Sequence, residues 1–236
     1  MNKTELAISY LKKDMLKNPD LLTFLKIYDE SEIDMKYCES DGVCFLLKKS
    51  KIYCVSTDSS EVAKKIVSYI DSAENCICKN KWDFEVFNEK FHFKNADECY
   101  QYCYEKDENF SPIENVFKLT KNDLSEVKAN FEIKISAEEI ADLMKIFNFY
   151  KYVLDGKIVG IIGRHIDGEI GFLEVLENFR KRGIATALTK TIINEDADII
   201  PYSQVLIDNI KSINLQEKLG AKQNPTTVFW CYSDNY

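Results

Sequence analysis

The sequence predicts an α/β protein, a mixed and mostly antiparallel sheet flanked by helices, preceded by a smaller α+β region. Three observations point there. Asp155-Gly156 and Asp167-Gly168 cut the apolar run "YKYVLDGKIVGIIGRHIDGEIGFLEVL" into three strands, since Asp-Gly between apolar runs marks a tight hairpin. Ser136 and Glu139 stand at capping-box spacing ahead of "AEEIADLMKIF", a helix start. "IIPYSQVLI" is a buried strand, followed by the helical "NIKSINLQEKL" that Gly220 closes.

Taken in order, Leu6, Ile8, Leu11, Met15 and Leu16 make an apolar helical stripe, and Pro19-Asp20 opens a second helix through Lys26. "GVCFLLKKSKIYCVST" reads as a hairpin about "KKSK". "SSEVAKKIVSYI" is a helix capped by Ser59 or Ser60, with Val62, Ile66, Val67 and Ile70 on one face. The aromatic-rich "WDFEVFNEKFHF" and "ECYQYCYEK" complete this half as core. "KDENFSPIEN" is polar, carries one proline and lacks periodicity, so it is the linker. The expected domains are 1–107 and 108–236. "LTKNDLSEVKANF" reads as a helix, as does the segment from Gly183 to Asn194, and "TVFWCY" is the last strand.

Lys and Arg number 31 against 39 Asp and Glu, a net charge of −8. That balance argues against broad nucleic-acid binding, which needs a cationic footprint. No stretch approaches the roughly 20 apolar residues of a membrane span. The polar N-terminus predicts no secretory signal and hence a cytoplasmic protein with reduced thiols. The eight cysteines include Cys76-x-Cys78 and the pair Cys99 and Cys103. Neither has zinc spacing or histidine partners, so the expectation is small core hydrophobes and no metal.

Against the acidic background, "NFRKRGIATAL" places Arg180, Lys181 and Arg182 directly before a glycine that opens a helix. Free amides at a helix start and the positive end of its dipole make an anion site. Gly183 removes a Cβ where a phosphate would approach, and Ala185 keeps the next turn small.

This turn resembles the pyrophosphate motif Gln/Arg-x-x-Gly-x-Gly/Ala of the GNAT N-acetyltransferase superfamily, here Arg180, Lys181, Arg182, Gly183, Ile184 and Ala185. A second segment is similar to the family's Asn-x-x-Ser-x-x-Leu-Tyr-x-x-Leu-Gly-Phe, matched by Asn209, Ser212, Leu215, Leu219 and Gly220. "GEI", "PYSQV" and a late tryptophan resemble the glycine N-acyltransferase branch. "FNEKFHF" and "CYQYCY" resemble the first half of bacterial two-half acetyltransferases. The resemblance implies a sheet whose fourth and fifth strands splay apart around the pantetheine of an acyl-CoA, acetyl-CoA by default. Pantetheine would bond to the fourth strand around Leu173 to Val175. The pyrophosphate would take amides of Lys181, Arg182, Gly183, Ala185 and Thr186, with Asn209 facing the cofactor.

The implied reaction is direct acyl transfer to a primary amine of a small molecule or amino acid. An acetyltransferase acting on proteins or peptides and a non-catalytic acyl-CoA-binding module are the alternatives. A base must take the amine proton. Glu169, eleven residues before Arg180, matches the offset of the family's catalytic glutamate. Glu174 is the reserve; five residues apart, the two face opposite sides of a regular strand unless a bulge intervenes. Gln216 occupies the position of the family's general-acid tyrosine, leaving Tyr202, Tyr232 or water for that role. Ala221 stands where a phenylalanine is frequent. His165 is expected to be structural.

Overall fold

The computed structural model describes residues 2–195 and 199–233, the side chain of Glu195 excepted. The chain divides into two compact units. The first gathers Met1–Cys103, Gln204–Gln216 and Lys222–Tyr236, and the second Tyr104–Ser203 with Glu217–Ala221.

In the first unit, α1 (Lys3–Leu11) and α2 (Pro19–Ile27) precede β1 (Ile33–Glu39), β2 (Gly42–Leu47) and β3 (Ile52–Thr57). Then come α3 (Ser60–Val67), β4 (Asn75–Cys78), α4 (Lys81–Phe91) and β5 (Asn95–Cys103). The apolar stripe expected to run to Leu16 stops being α-helical at Leu11, where a 3-10 turn begins and the Asn18 side chain donates to Leu11 O at 3.2 Å. Ser59 is the cap of α3, accepting from Val62 N.

β3 and β4 run parallel across α3, whereas β1–β2 and β2–β3 are antiparallel. Side chains alternate between two cores. Val43, Phe45, Cys54 and Ile77 pack under α1 and α2; Cys44, Val55, Cys76 and Cys78 pack under α3 and α4. This period of two explains the C-x-C pair, whose residues share a face with their sulfurs 3.4 Å apart. All eight cysteines are free thiols and six are buried. A buried pair, Lys79 Nζ to Asp20 Oδ2 at 2.6 Å, is completed by Gln101 Oε1 at 2.7 Å from the ammonium. A charge pair this deep persists only when its remaining sites are bonded.

In the second unit, β6 (Val116–Lys118) leads to α5 (Leu124–Asn130) and α6 (Ala137–Leu143). β7 (Tyr150–Leu154), β8 (Lys157–Arg164) and β9 (Ile170–Val175) follow, and α7 (Ile184–Glu195) comes after them. The capping box at Ser136 and Glu139 is formed in both directions. The sheet order is β6-β7-β8-β9, an antiparallel meander. One face packs on α7 through Val159, Ile162, Ile170, Ile184 and Leu188. The other packs on α5 and α6 through Val127, Ile140, Phe149, Ile158 and Ile161.

The remaining elements are β10 (Tyr202–Leu206), α8 (Ile210–Lys218), β11 (Lys222–Gln223) and β12 (Val228–Tyr232). The eight-stranded sheet runs β1-β2-β3-β4-β12-β5-β10 with β11 on β5, and β12 is antiparallel to both β4 and β5. β9 ends one sheet and β10 is paired in the other, so among the described residues no ladder joins them. Among the described residues no helix is long and apolar enough to cross a membrane.

Candidate functional site

The second unit brings together a helix start, a bulged edge strand and a pocket. After β9 a 3-10 turn, Glu177–Phe179, carries the chain to Arg180, whose amide donates to Glu177 O at 3.2 Å. Lys181 and Gly183 then take left-handed backbone conformations, φ +62° and +82°. Gly183 suits that conformation; Lys181 adopts it against its Cβ. α7 begins at Ile184, and Ala187 is its first residue whose amide finds a main-chain acceptor, Gly183 O at 2.9 Å. Among the described residues, the amides of Lys181, Arg182, Gly183, Ile184, Ala185 and Thr186 make no main-chain bond. These donors stand at the positive end of a twelve-residue helix.

The basic side chains are partly braced on the approach to the helix. Arg180 Nε donates to Val175 O at 2.9 Å. Arg182 donates to Asn178 O at 3.2 Å and lies 5.3 Å over the Phe179 ring. Held this way, the Arg180 and Arg182 side chains bond carbonyls of the preceding segment.

β9 carries a bulge. Gly171 pairs with Gly163 and Glu174 with Ile161, so β8 spends one residue, Ile162, where β9 spends two, Phe172 and Leu173. Phe172 takes φ +50°. The extra residue reverses the parity expected of a regular strand: Gly171 and Glu174 lie on one face, and extending the alternation two residues back puts Glu169 on that face too. Leu173 and Val175 pack toward α7, while Phe172 packs on the α5–α6 side.

Phe172 lies 5.6 Å from Phe149 and 4.2 Å from the His165 ring, centroid to centroid. His165 reaches this place because residue 171 is glycine; a Cβ there would stand 2.2 Å from its Nε2. Burial lowers the His165 pKa, opposed in part by the Asp167 carboxylate, so the ring is neutral at neutral pH.

On this face opens a pocket of about 500 Å³. The loop between α5 and α6 walls it with residues 132–135, and His165, Phe172, Leu173, Glu174 and Arg180 line the rest. Lys128 Nζ pins the loop by donating to Ile133 O and Ile135 O at 2.7 and 2.8 Å. Glu174 Oε2 accepts from Glu132 N at 2.9 Å.

Other residues singled out in the sequence sit as follows. Glu169 is half-buried in the turn before β9; its amide donates to Asp167 Oδ1 at 3.0 Å and its carbonyl accepts from His165 N at 2.9 Å. Asn209, in the first unit, caps α8 by accepting from Ser212 N at 3.2 Å. Gln216 is buried, its amide toward Ser212 Oγ. Tyr202 is fully buried, and its hydroxyl donates to Asp167 O at 2.9 Å, so it does not supply an exposed acid. The 132–135 loop and His165 were not assigned to the site from sequence. Their role arises from the bulge and from Gly171, which no local pattern announces. Among the described residues no cluster of His, Cys, Asp or Glu could hold a metal ion.

Residues 116–221 match the acetyltransferase (GNAT) family. None of the curated proteins compared with the sequence matches it. Among solved structures, a Drosophila protein is similar with a TM-score of 0.66 at 12% identity, over 100% of this chain and 98% of that one. A GCN5-related N-acetyltransferase from Kribbella flavida gives 0.56 at 10% identity, over 93% and 95%. A tandem GNAT protein from the clavulanic acid biosynthesis pathway gives 0.50 at 9% identity, over 99% and 96%.

Proposed function

We propose that the protein transfers an acyl group, acetyl by default, from an acyl-CoA to the primary amine of a small molecule or amino acid, a reading supported by the match of residues 116–221 to the acetyltransferase (GNAT) family. The observation that carries this is the run of free amides from Lys181 to Thr186 at the start of α7. Such a cluster, with the helix dipole and three cations behind it, fits a diphosphate. Arg180, Lys181, Arg182, Gly183, Ile184, Ala185 and Thr186 hold that end of the cofactor. Leu173 and Val175, the latter through its amide since its carbonyl accepts from Arg180 Nε, offer main-chain groups on β9, the last strand of its sheet, to the pantetheine amides. Bound acyl-CoA supplies an activated acyl thioester; the products are an amide and the free CoA thiol.

The chain's own part is to bring an uncharged amine to that carbonyl. Glu169 is the proposed base, taking the proton from the acceptor nitrogen at its carboxylate. Glu174 is a second reading, favoured by its place in the pocket wall. The phenolic acid of related enzymes has no counterpart at Gln216, and a CoA thiolate is stable enough to leave without one. The tandem neighbour, spanning almost the whole chain, supports reading 1–107 as a degenerate acetyltransferase-like half and 108–236 as the half that carries the site. Thiol release from acetyl-CoA across an amine panel tests the reaction. Turnover with free amines supports the small-molecule reading, turnover with peptides alone supports a protein acceptor, and binding without turnover supports a non-catalytic module.

A further inference from the structure

The turn between β8 and β9 is held more firmly than a hairpin requires. Arg164, Asp167 and Gly168 are buried and Glu169 is half-buried, so carbonyls along the turn need donors from the protein itself. Each main-chain oxygen of residues 167–170 has one. Asp167 O accepts from the Tyr202 hydroxyl at 2.9 Å, and Gly168 O from Arg164 Nη1 at 2.8 Å. Glu169 O accepts from His165 N at 2.9 Å, and Ile170 O from Ser203 Oγ at 3.2 Å. Two of these braces are themselves anchored. Arg164 Nη2 donates to Ile192 O, near the end of α7, at 3.2 Å, and Ser203 Oγ lies 3.0 Å from the Tyr104 hydroxyl. The other Asp-Gly turn of this sheet, Asp155-Gly156, is exposed and closes its hairpin by pairing Leu154 with Lys157. An Asp-Gly turn therefore does not need three side-chain braces. What the bracket fixes is the residue in its middle, Glu169.

We propose that Tyr202 is a positioning residue for acyl transfer: with Arg164 and Ser203 it holds the 167–170 turn so that the Glu169 carboxylate meets the acceptor amine. Tyr202 is fully buried and touches no reacting atom; its hydroxyl acts through the main chain at Asp167. The inference rests on the acyltransferase reading with Glu169 as base, and adds what keeps that base in place. Placement matters because a shift of about 1 Å in a catalytic group costs about 100-fold in rate.

The test is steady-state thiol release from acetyl-CoA with glycine, L-phenylalanine, tyramine, spermidine and a lysine-containing peptide, alongside calorimetric binding of CoA. With the amine that turns over, Tyr202→Phe lowers kcat about 10- to 100-fold, while KM for acetyl-CoA and CoA affinity stay within about twofold of native. Ser203→Ala, which withdraws a different donor from the same turn, lowers kcat in the same direction. In a Glu169→Gln background, where no base remains to be placed, Tyr202→Phe changes the rate by less than about twofold. An unchanged kcat in Tyr202→Phe, or an equal loss in both backgrounds, overturns the inference and leaves the acyltransferase reading standing. A loss in Tyr202→Phe with none in Ser203→Ala also overturns it, and points to the phenol as an acid instead. Glu169→Gln at the native rate overturns the inference together with Glu169 as base. No turnover with any of the amines overturns the acyltransferase reading as well. Phenylalanine keeps the buried ring, and urea unfolding of each variant verifies that the compared samples are folded; if Tyr202→Phe does not fold, Ser203→Ala carries the same comparison.

Discussion

Replacing Gly183 with alanine separates fold from ligand at the proposed diphosphate site. A Cβ built there meets no atom of the described residues within 4 Å, so none of them is displaced. The residue keeps φ +82°, and the cost to folding is that of a left-handed alanine, about 1 kcal/mol. The substitution alters no charge, so long-range attraction of an anion is unaffected. The cost to binding is of another kind. The new methyl projects into open space at the turn whose amides have no main-chain acceptor, and a ligand oxygen can no longer approach as closely. Losing one hydrogen bond to a charged group costs about 1.5–3 kcal/mol, which weakens CoA binding about 10- to 150-fold. Calorimetric titration with CoA and urea unfolding of the same samples give the two numbers. A variant destabilised by about 1 kcal/mol that binds CoA within twofold of the native protein refutes the assignment of the turn.

Three further outcomes follow from named contacts. Glu169→Gln lowers kcat about 10²- to 10⁴-fold at neutral pH if its carboxylate takes the proton, with partial recovery at higher pH as more acceptor amine is already neutral; an unchanged rate removes Glu169 from the mechanism. Asp83 is fully buried, among the described residues its Oδ2 lacks a partner, and desolvation raises its pKa from 3.8 to about 7. Because the folded value is the higher one, its stabilising contribution is complete below about pH 4 and is lost as pH rises to about 7, a change of about 4 kcal/mol. Asp83→Asn flattens that decline in urea midpoints between pH 5 and 8, and parallel curves for variant and native protein contradict it. Gly171→Ala drives a Cβ into His165, 2.2 Å from Nε2, and destabilises by about 1–3 kcal/mol; adding His165→Ala restores part of the loss, and additive effects in urea unfolding count against the contact.

Much of the second unit was legible because its signals are local. Asp155-Gly156 and Asp167-Gly168 sit at the two β-turns expected of them, Ser136 caps α6, and the turn before Gly183 joins a strand to a helix. In the first unit the aromatic and cysteine-rich stretch hid α4 and β5, since "NADECYQYC" begins with polar residues that belong to neither period. β1, β4 and β6 were also missed; β4 is four residues long and β6 three. Nothing in "TVFWCY" tells that β12 lies between β4 and β5, because that pairing spans most of the chain. The bulge was foreseen only as a condition. Phe172 has no glycine to advertise its positive φ, yet it decides which face Glu169 and Glu174 share.

The most direct measurement is calorimetric titration of the native protein with acetyl-CoA, paired with urea unfolding in its presence. The account predicts saturable binding at one site per chain, with unfolding stabilised by about 2.7 kcal/mol when free ligand stands at 100 times Kd. No heat of binding and an unmoved unfolding curve at millimolar acetyl-CoA would contradict it.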